Sequence, residues 1–155
     1  MDGAIRKLSF IVSKGSFDGV YPALILANGA RAEGIEADLF FTFYGLEAVR
    51  RDRVAHLKIP AVGNPALHLP TLVGMLPGAS AALTRLLSAR FAKADVPTIP
   101  EFLEMIADTG AGLYACKASA DLFGLTKDDF VDRIGGVITV GEFYDLAAGG
   151  QIVFT

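Results

Sequence analysis

Cysteine, histidine and tryptophan are scarce in this chain of 155 residues, which has one cysteine, two histidines and no tryptophan. The single cysteine, Cys116, excludes an intrachain disulfide framework, a cysteine-rich zinc site and a dithiol oxidoreductase. It also fits a reducing compartment, so we expect the protein in the cytoplasm. The sequence predicts no metal site and no cofactor.

Basic charge is not in excess, because 14 lysines and arginines stand against 17 aspartates and glutamates, for a net charge of −3. A nucleic-acid-binding protein usually shows a basic excess or stripe, so we expect no nucleic-acid partner.

A long hydrophobic run is lacking too. The stretch 59–84 has no Asp, Glu, Lys or Arg, but four prolines interrupt it, and a spanning helix needs about 20 continuous apolar residues. Peripheral membrane contact stays open, since an exposed apolar loop is costly in water.

Apolar residues, by contrast, are abundant. They make up 52% of the chain, and the mean hydropathy is +0.46. Such a composition indicates strands covered on both faces, subunits buried against one another, or both. We therefore expect a homo-oligomer, built from a chain whose length is most simply one domain, residues 1–155.

Short apolar runs separated by helical patterns predict the fold class. Five runs have the character of buried strands, at 8–13, 35–45, 111–116, 137–140 and 151–155. A strand, a helix and a second apolar strand form a βαβ unit, in which the helices cover both faces of the sheet. The prediction is a three-layer α/β/α protein with a mostly parallel five-stranded sheet.

Capping residues predict where several helices begin. Asp18 is the expected N-cap of the first helix, with Pro22 near its first turn and Gly34 as its stop. Thr98 and Thr126 are expected N-caps of two later helices, of which the second is short.

The carboxyl ends of parallel strands lie at one edge of a sheet, where α/β proteins place their ligands. The first strand ends near Lys14, the second at Tyr44 and Gly45, and the third at Cys116. Cys116 is thus predicted at a strand-to-helix turn, where amides of the helix and the charge of Lys117 stabilise a thiolate, with Lys14 as a second cation. The alternative is a small buried apolar side chain without a role.

Other chemistry finds less support. A cysteine hydrolase needs a histidine base, but His56 and His68 lie at no predicted strand end. The loop SKGSFDG lacks the glycine spacing of a P-loop or a GxGxxG run, so a tight turn is favoured over a nucleotide site. A lone reactive cysteine without a base can still carry sulfur as a persulfide.

Several segments then resemble a known family. They are YACKASADLFGL around the cysteine, LVGMLPG at 72–78, VPTIPEFLEMIADTGAGLYAC before the cysteine and GGVITVGEFYDLA after it. With these motifs the chain resembles the DsrE/DsrF-like sulfur-relay family, in its branch of larger single-domain members. The signature A-C-x-x-S-x-D-x-x-G is moderately specific, and the GMLPG loop strengthens it.

The resemblance implies a flavodoxin- or Rossmann-like α/β/α fold and a role in intracellular sulfur trafficking. Cys116 would accept sulfur as a persulfide, Ser119 would hydrogen-bond the terminal sulfur, and Lys14 and Tyr44 would line the pocket with Lys117 nearby. If the protein is an enzyme, it would be a persulfide-type sulfurtransferase. The implied partners are rhodanese-like donors and TusA-like carriers.

Two alternatives stay open. One is a non-catalytic oligomeric module that binds a small ligand or a partner at the sheet edge. The other is a peripheral membrane adaptor that uses the stretch LPTLVGMLPG. The apolar loop LVGMLPG is expected to pack against a neighbouring subunit or to fold over the cysteine pocket, because an exposed apolar loop is costly in water.

Overall fold

A computed structural model describes residues 4–68 and 70–155. Its strands and α-helices follow in the order β1 (Lys7–Val12), α1 (Phe17–Ala32), β2 (Glu36–Phe41), α2 (Thr71–Gly74), α3 (Ala79–Lys93), α4 (Ile99–Asp108), β3 (Gly112–Cys116), α5 (Lys117–Leu122), β4 (Gly136–Ile138), α6 (Val140–Ala147) and β5 (Gln151–Phe154). In addition, short 3-10 helices lie at Phe43–Ala48, Val54–His56, Pro65–Leu67 and Lys127–Asp129.

The five strands form one sheet in the order β4-β3-β2-β1-β5, and each neighbouring pair is parallel. The α/β class and the five-stranded parallel sheet are therefore confirmed. Because all strands run in one direction, the ends of β1, β2 and β3 lie at the same edge, as expected.

Side chains that alternate along each strand divide the core in two. On one face, residues such as Phe10, Leu39 and Leu113 pack with the apolar sides of α1 and α4. On the other face, Phe40 and Cys116 pack against α6. The second cluster is small, because α6 is a short helix of eight residues.

The capping predictions for two helices are confirmed. The Thr98 side chain accepts a hydrogen bond from the amide of Glu101, whose carboxylate accepts one from the Thr98 amide. The Thr126 amide and hydroxyl both donate to the carboxylate of Asp129, although the helix that follows is only the 3-10 turn Lys127–Asp129. Such capping boxes satisfy amides that a helix leaves without partners in its first turn.

The predicted end of the second strand was wrong. The strand β2 ends at Phe41, and Tyr44 and Gly45 belong to a 3-10 helix. In this turn Gly45 lies against the backbone carbonyl of Val12, where a Cβ atom would overlap the oxygen, so the position requires glycine. The turn also holds Phe43 at a φ of 50°, which is unusual for a residue with a side chain.

Other predicted boundaries were shifted as well. The helix α1 begins at Phe17 with Ser16 as its N-cap, so Asp18 is not the cap and Pro22 lies inside the helix. The fourth strand is Gly136–Ile138, and Val140 opens α6. Thr139 interrupts that apolar run, because its side chain caps α6.

Candidate functional site

The thiol of Cys116 lies at the end of β3, where the chain enters α5. Cys116 is the N-cap residue of α5 and only 3% of its surface is exposed. On one side, the thiol belongs to the apolar cluster of Phe40, Phe143 and Ala147. The strand-to-helix position agrees with the expectation from the sequence, but the side chain is buried and not open to solvent.

Polar groups nevertheless shift the protonation of this thiol. Burial raises the pKa of Cys116, whereas hydrogen bonding to the side chains of Ser119 and Thr42 and to the amides of Ser119 and Ala118 lowers it, and the lowering is larger. Although Cys116 is the N-cap residue, its side chain makes no capping hydrogen bond to the amides of α5. The pKa therefore lies below the ordinary value of a thiol, which favours the thiolate, the reactive form of cysteine.

Ser119 holds the polar side of the site together. Its hydroxyl oxygen lies 3.0 Å from that of Thr42 and accepts a hydrogen bond of 2.9 Å from the Phe43 amide. Ser119 is itself buried. Either hydroxyl of the Thr42–Ser119 pair can be the donor in the bond between them, and the side chains of both residues also contribute hydrogen bonds that lower the pKa of Cys116.

Two of the predicted residues are in this group and three are elsewhere. Cys116 and Ser119 lie together, as the sequence suggested. The ammonium group of Lys117 pairs with the carboxylate of Asp121 at 2.9 Å, and no charged group in the described part of the chain contributes to the pKa shift of Cys116. Lys14 and Tyr44 line a separate cavity of about 570 Å³.

Thr42 was missed in the sequence, because it was placed inside a longer second strand. The register of the sheet explains its role. Phe41 of β2 pairs with Ala115 of β3. The residues that follow these two in the chain, Thr42 and Cys116, therefore also lie beside each other. A polar residue directly after an apolar run was the available signal, since parallel strands place such residues at the ligand-binding edge.

Three exposed aromatic side chains contact one another, two from the turn after β2 and one from the end of α5. The ring of Phe43 lies 4.6 Å from that of Tyr44 and 5.7 Å from that of Phe123, measured between centroids. All three side chains are exposed. We call this group the aromatic trio; Phe43 and Tyr44 directly follow Thr42, and Phe123 follows α5.

The apolar loop LVGMLPG does not cover the cysteine in this chain. Its part at 72–76 carries exposed side chains, with Leu72 78% exposed, and the residues packed around Cys116 come from β1, β2, β3, β4 and α6. Gly74 fixes the loop against the backbone of Ala61. Whether a second subunit contacts the loop stays a prediction.

The histidines lie outside the site, as the sequence indicated. His56 lines a second cavity, of about 430 Å³, together with Lys58 and Arg85, and the ring of His68 faces the carbonyl of Ala66. Residues 4–68 and 70–155 hold no group of three or more metal-ligating side chains. Within the same residues, no helix has the length and hydropathy that crossing a bilayer requires.

The fold and the site define an α/β protein with a thiol at the carboxyl edge of a parallel sheet. The chain belongs to the DsrE/DsrF/DrsH-like family, whose model matches residues 5–154. This match confirms the resemblance that the sequence motifs indicated.

Two relatives and two solved structures are similar over most of the chain. The sulfur carrier protein DsrE2 of Allochromatium vinosum is 33% identical over 83% of this chain and 85% of its own. The uncharacterized protein YrkE of Bacillus subtilis is 28% identical over 96% of both chains. The ychN protein from E. coli has a TM-score of 0.61 at 14% identity, covering 97% of this chain and 100% of its own. The protein of unknown function MTH1491 from Methanobacterium thermoautotrophicum has a TM-score of 0.59 at 11% identity, covering 96% and 98%.

Proposed function

We propose that this protein is a sulfur carrier of the cytoplasm, in which Cys116 holds sulfane sulfur as a persulfide. Membership in a sulfur-relay family supports the role. The observation that carries the proposal is the position of the Cys116 thiol at the end of β3 and the N-cap of α5, where neighbouring hydroxyl and amide groups lower its pKa. A thiolate is the form that attacks a sulfane sulfur atom.

The transfer conserves atoms and charge. The Cys116 thiolate attacks the outer sulfur of a donor R–S–SH, the bond between the donor's two sulfur atoms breaks, and RS⁻ leaves. The product is Cys116–S–SH, in which the outer sulfur keeps its proton. Ser119, whose side chain contributes to the lowered pKa of Cys116, is the group that would donate a hydrogen bond to the incoming sulfur.

Burial limits when the reaction takes place. With 3% of Cys116 exposed, the donor reaches the sulfur only after neighbouring side chains move. The side chains that pack around the sulfur are those of Phe40, Phe143 and Ala147, with Ile11, Tyr114 and Ile138 partly buried against them. Rhodanese-like donors and TusA-like acceptors are the partners that this function requires.

Mass spectrometry of the intact protein tests the proposal. After exposure to inorganic polysulfide, the wild type is expected to gain about 32 Da per sulfur atom and to lose that mass on reduction. Cys116→Ser has no thiol, and its mass is expected to stay unchanged. A wild type that gains no sulfur at any pH where its thiol is alkylated would refute persulfide carriage.

Assembly into a homo-oligomer is part of the proposal. The outer strand β5 is exposed along most of its length, and Phe154 is 71% exposed. Phe154 pairs in register with Ile11, which packs with the cluster around Cys116. A second copy on this face would cover an apolar edge strand, the kind of surface that proteins do not leave open.

A peripheral membrane adaptor is the second candidate. The stretch 59–94 has no acidic residue and carries Arg85, Arg90 and Lys93 on α3. The side chains of Leu72, Met75 and Leu76, which precede α3 in the chain, are exposed. Cations beside exposed apolar side chains are typical of helices that lie on anionic lipid surfaces. Flotation with vesicles of anionic phospholipid tests this candidate, which fails if the protein stays with the soluble fraction at low salt.

A further inference from the structure

The helix α6 closes the apolar side of the enclosure around the Cys116 sulfur. Phe143 and Ala147 are the members of this cluster that come from a helix, and its other members lie on strands. Phe143 is 1% exposed, and its ring stacks on that of Phe40 with 4.6 Å between the centroids. Because backbone hydrogen bonds hold the strands in the sheet, α6 is the part of this enclosure that can move away while the sheet stays intact.

The attachment of α6 differs from that of the other helices with six or more residues. Side chains of α1, α3, α4 and α5 make a hydrogen bond or ion pair with a distant segment, through Tyr21, Ser80, Glu104 and Ser119 respectively. Within residues 4–68 and 70–155, the hydrogen bonds of α6 stay inside 139–150, and its side chains make no ion pair. Apolar packing and the two flanking segments therefore hold α6 on the sheet.

The flanking segments of α6 lead to the two edge strands. The helix follows β4 and precedes β5, which lie at opposite edges of the sheet. Thr139 and Glu142 form a capping box at its first turn, and Gly149 reverses the chain after it with a φ of 76°. A helix of eight residues has little stability in water on its own. Departure of α6 from the sheet and unwinding of its turns are therefore one event.

The groups that stabilise the thiolate lie on other elements. Thr42 follows β2 and Ser119 belongs to α5, and these two residues hydrogen-bond each other. Neither residue packs in the apolar cluster that α6 closes. Opening of α6 thus exposes the sulfur and leaves its hydroxyl neighbours in place.

We propose that α6 is a gate over Cys116, with Phe143 as the side chain that closes it, and that sulfur donors and acceptors reach the thiol when α6 leaves the sheet. This proposal rests on the proposed persulfide function. The closed gate keeps a persulfide on Cys116 from small thiols in solution. The open gate presents the sulfur on its apolar side, opposite Thr42 and Ser119.

Alkylation of the native protein by dilute iodoacetamide measures how often the gate is open. Above the pH midpoint of alkylation, the rate is the open fraction multiplied by the rate of the exposed thiolate. Thr139→Ala removes the cap of α6 at an exposed residue outside the cluster around Cys116. Loss of an N-cap shifts a folding equilibrium about fivefold, so this variant should be alkylated about fivefold faster than the wild type.

Thr98→Ala is the matched control. Thr98 and Glu101 form the same capping box at α4, whose buried residues belong to the core on the other face of the sheet. Its alkylation rate should equal that of the wild type, and urea denaturation compares the global stability of the two variants. The proposal is overturned if both variants are alkylated faster by the same factor, which indicates global unfolding, or if Thr139→Ala reacts at the wild-type rate.

A second pair of variants tests the side chain that closes the gate. Phe143→Leu removes part of the stacking on Phe40 and should speed alkylation. Phe130→Leu is its control, because Phe130 is equally buried but belongs to the core on the other face. Equal alkylation rates of these two variants would remove Phe143 from the proposed role.

Hydrogen exchange followed by mass spectrometry locates the opening in the chain. Amides of α6 should exchange faster than those of β3, and Thr139→Ala should accelerate the exchange of α6 alone. Exchange of α6 and β3 at one common rate would overturn the gate. Polysulfide loading is a separate readout: a wild type that is alkylated through α6 but gains no sulfur refutes persulfide carriage and leaves the gate in place.

Discussion

The hydroxyl of Ser119, in the first turn of α5, lies 3.0 Å from the hydroxyl of Thr42, which directly follows β2. The two residues are 77 positions apart in the chain. Their contact places two hydroxyl groups on one side of the Cys116 sulfur, which apolar side chains bury on the other. The thiolate is stabilised by neutral donors and not by a neighbouring cation.

Removing the hydroxyl of Ser119 or of Thr42 should raise the pKa of the Cys116 thiol towards the ordinary value of a thiol. The pKa of Cys116 is raised by burial and lowered further by Ser119 and Thr42, so Ser119→Ala and Thr42→Val should each raise it. The midpoint of alkylation rate against pH then moves to higher pH, and less thiolate is present at neutral pH.

The measurement is the iodoacetamide rate across pH. Ser88→Ala, an exposed serine of α3, is the control and should keep the wild-type midpoint. Wild-type protein unfolded in denaturant gives the unshifted thiol. If both hydroxyl variants titrate like the wild type, the hydrogen bonds do not set the pKa.

Lys117 gives an independent test of what stabilises the thiolate. Its ammonium group is held by Asp121 at 2.9 Å in an exposed pair, so Lys117→Gln should leave the alkylation midpoint unchanged. Stability should change little as well, since exposed ion pairs contribute about 0.2–1 kcal/mol. A clear rise in the midpoint would instead show that the charge of Lys117 stabilises the thiolate, as the sequence suggested.

Gly45 should tolerate no side chain. A Cβ atom there would overlap the carbonyl oxygen of Val12, so Gly45→Ala must push the turn after β2 away from β1. We expect a loss of about 1–3 kcal/mol in the free energy of unfolding, measured by urea denaturation. The displaced turn also carries Thr42, so the thiol pKa should rise.

Gly29→Ala is the matched control for that substitution. Gly29 lies within α1, and a Cβ atom there would have no neighbour within 4 Å. Alanine is the better helix former by about 0.5–1 kcal/mol, so this variant should be slightly more stable than the wild type. Equal effects of the two alanines would show that backbone crowding at Gly45 is not what matters.

The exposed edge strand β5 predicts that the protein forms a homo-oligomer. Phe154→Glu places a charge on an exposed apolar edge strand, and it should dissociate a homo-oligomer that buries this strand. Light scattering after size exclusion measures the mass. Tyr144→Glu, at an exposed position on α6, tests whether the same interface extends over the helix. A wild type that is already monomeric at high concentration would refute the assembly.

Periodicity made the main elements predictable. The strands of a parallel sheet are short apolar runs, and such runs located β1, β3 and β5 with small errors at their ends. Thr98 and Glu101 form a local capping box, which requires only that a threonine precede a glutamate by three residues. Interactions within one turn of chain are visible in a sequence.

Boundaries that depend on distant contacts were not predictable in the same way. The run 35–45 is apolar near its end except for Thr42, but β2 ends at Phe41 and the chain turns, with Gly45 against the carbonyl of Val12. Nothing near Gly45 in the sequence announces that contact. For the same reason Thr42 was hidden within a strand and its role at the thiol was missed.

The sequence by itself determined that the chain forms a parallel α/β sheet and that Cys116 ends one of its strands, because strand length and apolar periodicity are local properties. Only the tertiary structure decided what surrounds the sulfur. The register of β2 on β3 brings Thr42 beside Cys116, and the α5 turn brings Ser119 to both. Pairing between strands far apart in the chain sets that register, and with it the protonation of the thiol.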